Sequence, residues 1–228
     1  FTSGREPFAV TFGGVSATAV TLVDSTPPNT QLTCTTPAHA AGAVGVNVKD
    51  KGLGDGATLT NGFTYNKGNQ TITFGALASK TYGDPPFAVS ATASSGLTVS
   101  FAITSGSAYA SLAVSTVTIT GAGDVTITAS QAGNANYNPA PDVPRSFNIA
   151  KASSTTTVTV SNATYDGNPH GGTASVTGAG GLNQSLTVNY VGRNTTVYPS
   201  STTAPTDAGD YTASATFAGD TNHTSSSD

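Results

Sequence analysis

The sequence predicts an all-β protein made of tandem antiparallel sandwiches. Short stretches alternate apolar and polar residues, clusters of Gly, Pro and Asn interrupt them at close intervals, and no window sustains an apolar period of 3.6. Composition agrees. Charged residues make up 9% of the 228 positions, against about 25% in an average soluble domain. Thr, at 40 positions, is the commonest residue, Gly adds 26, and there is one Cys and no Met or Trp. Leu, Ile, Val and Phe fill only 42 positions, a level found in disordered chains, but disorder also calls for a high net charge and here it is -4. Thr and Val with Gly and Pro punctuation suit short strands instead. A coiled coil, a helical bundle, a collagen-like rod and a disulfide-stapled miniprotein are excluded.

In the first third, Val10-Thr11-Phe12, Ala19 to Val23, Val44 to Val48 and Phe63-Thr64-Tyr65 read as strands. Gly13-Gly14, Pro27-Pro28-Asn29 and the Gly-rich stretch from Lys51 to Gly56 read as turns. Gln31 to Thr35 alternates so that Cys34 shares a face with Leu32, which makes the lone thiol a small buried hydrophobe. Asn66-Lys67-Gly68-Asn69 is a polar junction. The middle third offers Thr71 to Phe74, Phe87 to Ala91, Leu97 to Ile103, Val117 to Ile119, Val125 to Ala129 and Phe147 to Ile149. After Lys151-Ala152-Ser153 come Thr157 to Val160, Leu186 to Tyr190 and one long strand from Tyr211 to Phe217. Gly121-Ala122-Gly123 and Gly178 to Gly181 are expected as hairpin turns.

A repeat sets the partition. Residues 121–137 and 207–223 share eight identities in seventeen at a constant offset of 86, and Thr81-Tyr82-Gly83-Asp84 returns as Thr164-Tyr165-Asp166-Gly167. Two related modules of about 85 residues therefore stand in tandem, as in an array. The expected domains are residues 1–67, 68–151 and 152–228.

Val10 to Ala17, Thr35-Thr36-Pro37-Ala38, Gly42 to Val48 and Asn61 to Tyr65 resemble an IPT/TIG immunoglobulin-like domain. The two Tyr motifs, with Ala132-Gly133-Asn134-Ala135-Asn136-Tyr137 and Ala218-Gly219-Asp220, resemble the MBG/YDG bacterial immunoglobulin-like repeats. The resemblance implies tandem immunoglobulin-like sandwiches within a large, bacterial, extracellular surface protein. Against the family patterns, residues 1–67 lack N-terminal strands and residues 152–228 lack the C-terminal strand. This leaves two readings: an excerpt of a longer chain, or strands supplied by a neighbouring protomer.

Chemistry is sparse. Asp207-Ala208-Gly209-Asp210-Tyr211 invites a paired-carboxylate reading, but Asp-x-Gly-x-Tyr before an alternating strand is better read as a tyrosine corner, in which the phenol pins upstream backbone. Tyr211, Asp207 and Gly209, with Tyr82 and Tyr165 of the repeated motif, are thus structural candidates. A buried Tyr211 hydroxyl implies that Tyr211→Phe costs ~1 kcal/mol. His39, His170 and His223 lie apart without ligand spacing, so no metal or other cofactor is expected. Asp84, Asp166 and Asp220 read as turn formers, with calcium at a junction left open. No nucleophile elbow and no phosphate cradle is present, so no enzyme is expected. Tyr109, Tyr137, Tyr190 and Tyr198 are candidates for a glycan platform. Sequons at Asn69, Asn162, Asn183, Asn194 and Asn222 arise readily in an Asn- and Thr-rich chain.

Eight basic residues without a run argue against nucleic acid, and no apolar stretch reaches the length of a membrane span. The expected function is a non-catalytic segment of an extracellular fibre, stalk or adhesin on a bacterial cell surface, with neighbouring immunoglobulin-like domains as partners. A self-assembling filament or sheath subunit and a glycan-binding accessory module of a polysaccharide enzyme stand beside it, the latter with surface glycans as ligand.

Overall fold

The computed structural model describes residues 8–24 and 31–228, so the expected turn at Pro27-Pro28-Asn29 lies outside the described residues. Among the described residues the chain is strand and turn throughout, with one 3-10 turn at Ala179–Gly181 and no α-helix. It divides into two compact units. The first comprises Phe1–Ile72, Ala93–Thr98 and Gln131–Pro141; the second comprises Thr73–Thr92, Val99–Ser130 and Asp142–Asp228.

In the first unit an antiparallel sheet runs in the order Val15–Ser16, Phe8–Phe12, Gly42–Asp50, Gly56–Tyr65. Gly13 and Gly14, both at positive φ, make the two-residue turn that pairs Phe12 with Val15. A second layer is the pair Thr18–Asp24 and Gln31–Thr35. Val10, Phe12, Val20 and Val44 are buried together, and Leu32 and Cys34 both pack on that cluster from one face of their strand. Cys34 is a free thiol, half-buried. Phe63 meets Phe12 and Tyr65 edge to face, and the Tyr65 hydroxyl donates to the Pro37 carbonyl at 2.9 Å.

In the second unit Ser100–Ser105, Gly123–Ser130, Val143–Ala150 and Lys80–Thr81 form one sheet, the last pair parallel. Ala110–Ala113, Thr116–Ile119 and Phe87–Ala88 form another. Val125, Ile127 and Ala129 alternate inward on one strand, and with Val117 of the other sheet and Phe147 and Ile149 they are almost wholly buried. Each such Val, Ile or Phe side chain contributes about 1.5–3 kcal/mol by leaving water. Residues 154–228 add three sheets: Ser154–Thr159 with Thr173–Gly178 and Leu182–Leu186, Asn189–Gly192 with Tyr211–Ser214, and Thr216–Phe217 with Ser226–Ser227. Their core is Ala174, Val188, Tyr190 and Ala215, with Val158, Leu186, Tyr198, Ala204 and Ala213 around it.

Five expectations about strands and turns need correction. The strand expected from Leu186 to Tyr190 is the end of Leu182–Leu186 and the start of Asn189–Gly192, with Thr187 and Val188 between them. The strand expected from Tyr211 to Phe217 breaks at Ala215, whose amide and carbonyl pair with Asp228, so the chain leaves one sheet and enters another. The stretch from Phe87 to Ala91 splits into Phe87–Ala88 and Ala91–Ala93, and the strand expected from Leu97 starts at Ser100. Gly121-Ala122-Gly123 carries the chain from one sheet to the other rather than closing a hairpin, whereas Gly178 to Gly181 does lie at a hairpin.

Candidate functional site

The corner motif is assembled around Thr196. A Cβ on Gly209 would come within 2.7 Å of the Thr196 side chain, so only glycine lets the strand approach, and the Asp210 amide donates to Thr196 Oγ1 at 2.9 Å. Tyr211 Oη donates to the Asp207 carbonyl at 2.8 Å, and its ring meets Tyr198 edge to face at 5.5 Å. The bond is solvent-exposed rather than buried, because residues 207–210 all lie on the surface. Asp210 accepts from Asn194 Nδ2 at 2.7 Å, so this carboxylate is engaged locally.

The repeated Tyr motif diverges. Tyr82 is half-buried, bonds the Ala150 carbonyl through its amide, and sets its ring edge to face with His223 at 5.4 Å. It lies so close to Gly180, at φ +64°, that no Cβ could be added there. Tyr165 is 64% exposed and lines an open cleft of about 420 Å³ with His170, Tyr190 and Tyr211. His170 Nε2 and Asp166 Oδ1 lie 2.9 Å apart at this cleft. Amide and side-chain hydrogen bonds from Asn168, then the His170 bond, hold the Asp166 carboxyl below its ordinary range. Of the four tyrosines expected for a glycan platform, Tyr190 is buried, Tyr137 and Tyr198 are half-buried and Tyr109 is exposed. Tyr190 donates to no platform because it is buried, with Oη bonded to the Gly172 amide; Tyr198 Oη donates to the Thr203 carbonyl; Tyr109 and Tyr137 lie against Gly121 and Gly68. His39 stacks on Tyr65 at 5.1 Å. Among the described residues no three His, Cys, Asp or Glu side chains converge at metal-binding distance.

A second constellation recurs in both units, and its partners escaped the sequence reading. In the first unit Gly133 turns the chain at φ +75°, and the Asn134 amide donates to the Tyr137 carbonyl at 3.0 Å. Asn134 Oδ1 accepts from the amides of Asn136 and Tyr137, at 2.8 and 2.9 Å. Lys67 Nζ donates to the Asn134 carbonyl at 2.8 Å, the Gly68 amide donates to the Asn136 carbonyl, and the Asn138 amide donates to the Gly68 carbonyl. Finally Asn136 Oδ1 accepts the Ala41 amide at 3.0 Å.

In the second unit the same bonds return. Gly219 turns at φ +87°, and the Asp220 amide meets the His223 carbonyl. Asp220 Oδ1 takes the amides of Asn222 and His223 at 2.7 and 2.6 Å. Lys151 Nζ donates to the Asp220 carbonyl at 2.5 Å, Ala152 to Asn222 and Thr224 to Ala152. Asn222 Oδ1 accepts the Ala122 amide at 2.9 Å. The signal was present in the sequence as two Lys residues 84 apart and two Gly-(Asn/Asp)-x-Asn loops 86 apart; what the sequence did not reveal is that one grips the other.

The two clamps differ at the loop's acceptor, Asn134 against Asp220, and at one ring. Where Tyr137 stands in the first, buried His223 stands in the second, with Nδ1 2.9 Å from Asp220 Oδ1 and Nε2 2.9 Å from the Ala179 carbonyl oxygen. Both neighbours are acceptors, so only an imidazolium satisfies both. Burial works against that charge, yet the bonds from Asp220 and Ala179 outweigh it and raise the His223 pKa above 6.5. The His223 bond is in turn the chief cause of a lowered pKa at Asp220.

Residues 1–76 match the IPT/TIG domain family. The match ends past Lys67 and Gly68, so it includes the linker that the first clamp holds. No curated protein matches the chain. The first third of the chain is thus similar to immunoglobulin-like IPT/TIG domains, which are generally non-catalytic and serve structure or interaction.

Proposed function

We propose that residues 68–151 and 152–228 are MBG/YDG-type repeats following the IPT/TIG domain, and that the chain is a non-catalytic structural segment of an extracellular fibre, stalk or adhesin on a bacterial surface. The observation that carries this reading is the recurrence of one seven-bond clamp at Lys67-Gly68 and at Lys151-Ala152. A loop that grips the linker ahead of it restricts the torsions a free linker would sample. Ordering backbone costs roughly 1–2 kcal/mol per residue, and bonds of ~1 kcal/mol each offset that cost. The neighbours such a segment engages are other immunoglobulin-like domains. Load is borne and distance is set without chemistry.

Small-angle scattering on the 228-residue chain and on the Asn136→Ala, Asn222→Ala double variant tests the reading. Loss of the side-chain bonds is expected to broaden the distribution of maximum dimensions; an unchanged distribution would remove the support the clamps give to a stiff spacer. A second reading, a glycan-binding module, draws on exposed Tyr165 at the cleft. Saturable binding to an oligosaccharide array, lost in Tyr165→Ala, would favour it.

A further inference from the structure

Among the described residues, Ala41-Gly42 leads into the strand of Val44, Ala122-Gly123 into that of Val125 and Ala208-Gly209 into that of Tyr211, while Ala179-Gly180 precedes a strand from within a 3-10 turn. At the first two, the alanine amide is capped by an Asn side chain, Asn136 and Asn222 respectively, each borne on the loop that grips a Lys-led linker. Ala41 and Ala122 are half-buried under those loops. Ala208 is exposed, and its amide meets no hydrogen-bond acceptor among the described residues. Its strand nevertheless begins like the others, aligned with Ala122 at the offset of 86 that relates the modules.

We propose that residues 207–211 are the seat for the Asn-bearing loop of a further copy of this module. The inference rests on the tandem reading above and extends it to a surface. The occupant follows from the residues themselves. An unpaired amide donor next to a small side chain asks for a carbonyl oxygen on a short side chain, and both filled seats use the Asn of Gly-(Asn/Asp)-x-Asn for it. Neither loop of this chain is free to serve, because Asn136 and Asn222 already hold Ala41 and Ala122; the Asn must come from another copy. The position before the alanine is variable, as Ala40, Gly121 and Asp207, so the aspartate at the open seat does not set it apart from the filled ones. Carboxylates at Asp207 and Asp210 border this seat, and each clamp brings a lysine with its linker.

The test uses the full chain, alone and extended after Asp228 by a second copy of residues 143–228. That junction sets the next linker lysine fourteen positions after His223, as Lys151 stands fourteen positions after Tyr137. Amide hydrogen exchange is read at Ala122 and Ala208, with Val125 and Ile127 as monitors of the folded core. In the 228-residue chain Ala122 should exchange slowly and Ala208 fast. In the extended chain Ala208 should slow at least tenfold, and replacing the copy's counterpart of Asn222 by Ala should restore fast exchange while the core amides stay protected. Fast exchange at Ala208 in the extended chain, with Ala122 still slow, overturns the seat and leaves the tandem reading standing. Slow exchange at Ala122 in Asn222→Ala undermines the clamp itself and with it the proposed function. Slowing of Ala208 by a soluble oligosaccharide but not by the copy assigns the seat to a different occupant and overturns the proposal.

Discussion

Gln70 is 3% exposed, and its side chain ties together the pieces of the first unit that lie far apart in sequence. Nε2 donates to Gln131 Oε1 at 2.8 Å and to the Asn138 carbonyl at 2.7 Å, while Oε1 accepts from Ser95 Oγ. Gln70→Glu keeps the volume and the acceptor but replaces the double donor with an oxygen facing two acceptors. Two bonds are lost, and acceptors are brought against a buried carboxylate, where each unsatisfied group costs ~1–3 kcal/mol. The expected deficit is about 3 kcal/mol at pH 7. Desolvation and facing acceptors raise the pKa of the new carboxyl above the usual glutamate range. Protonation returns one O–H donor, so the deficit should shrink by about 1 kcal/mol as pH falls through that raised pKa. Urea unfolding of the 228-residue chain, followed at the amides of residues 93–98 and 131–141 from pH 7 down to 4, measures both effects. A variant within ~0.5 kcal/mol of the parent at pH 7, or a deficit that stays constant in acid, would refute the account of Gln70 as a buried double donor.

For His223, whose folded pKa lies above 6.5, the stabilising contribution is complete below 6.5 and fades as pH rises through the raised value; that of Asp220, lowered from 3.8, is complete above 3.8 and fades as pH falls below it. Stability of the second unit should therefore peak between about pH 4 and 6.5, and His223→Gln should flatten the alkaline limb in a pH series of thermal melts. Gly133→Ala forces a side chain into left-handed backbone and against the Tyr137 carbonyl. It should cost at least ~1–2 kcal/mol, and more than Gly219→Ala, where the nearest atom is 2.9 Å away; denaturant midpoints rank the two. Tyr211→Phe loses only an exposed bond, so about 0.5 kcal/mol or less is expected, in place of the larger loss a buried corner implies; equal melting curves within that margin agree with it.

How far the sequence could be read depended on whether a feature was local. Val125, Ile127 and Ala129 announce their strand by strict alternation, and the structure buries all three. Leu32 and Cys34 do the same at half-burial. Tyr211 to Phe217 alternates just as well, yet the strand breaks at Ala215 because Asp228, thirteen residues on, takes its backbone bonds. No period within the strand encodes that. The corner bond from Tyr211 to Asp207 spans four residues and was legible; its exposure was not, because burial depends on what packs over the loop. Gln70 reads as one more polar residue in a junction, since its partners lie 25 to 68 positions away. The clamps divide in the same way: their loops are visible as a repeated motif, and their targets Ala41 and Ala122 carry no side-chain signal, because the recognised group is a backbone amide.

The exchange of Tyr137 for His223 at equivalent places makes the second clamp chemically unlike the first. In the second clamp the imidazole bridges Asp220 and the Ala179 carbonyl, so that clamp tightens when the ring takes up a proton. In a longer series of such loops, each one that carries a histidine at this place would add one more acid-responsive clamp along the length.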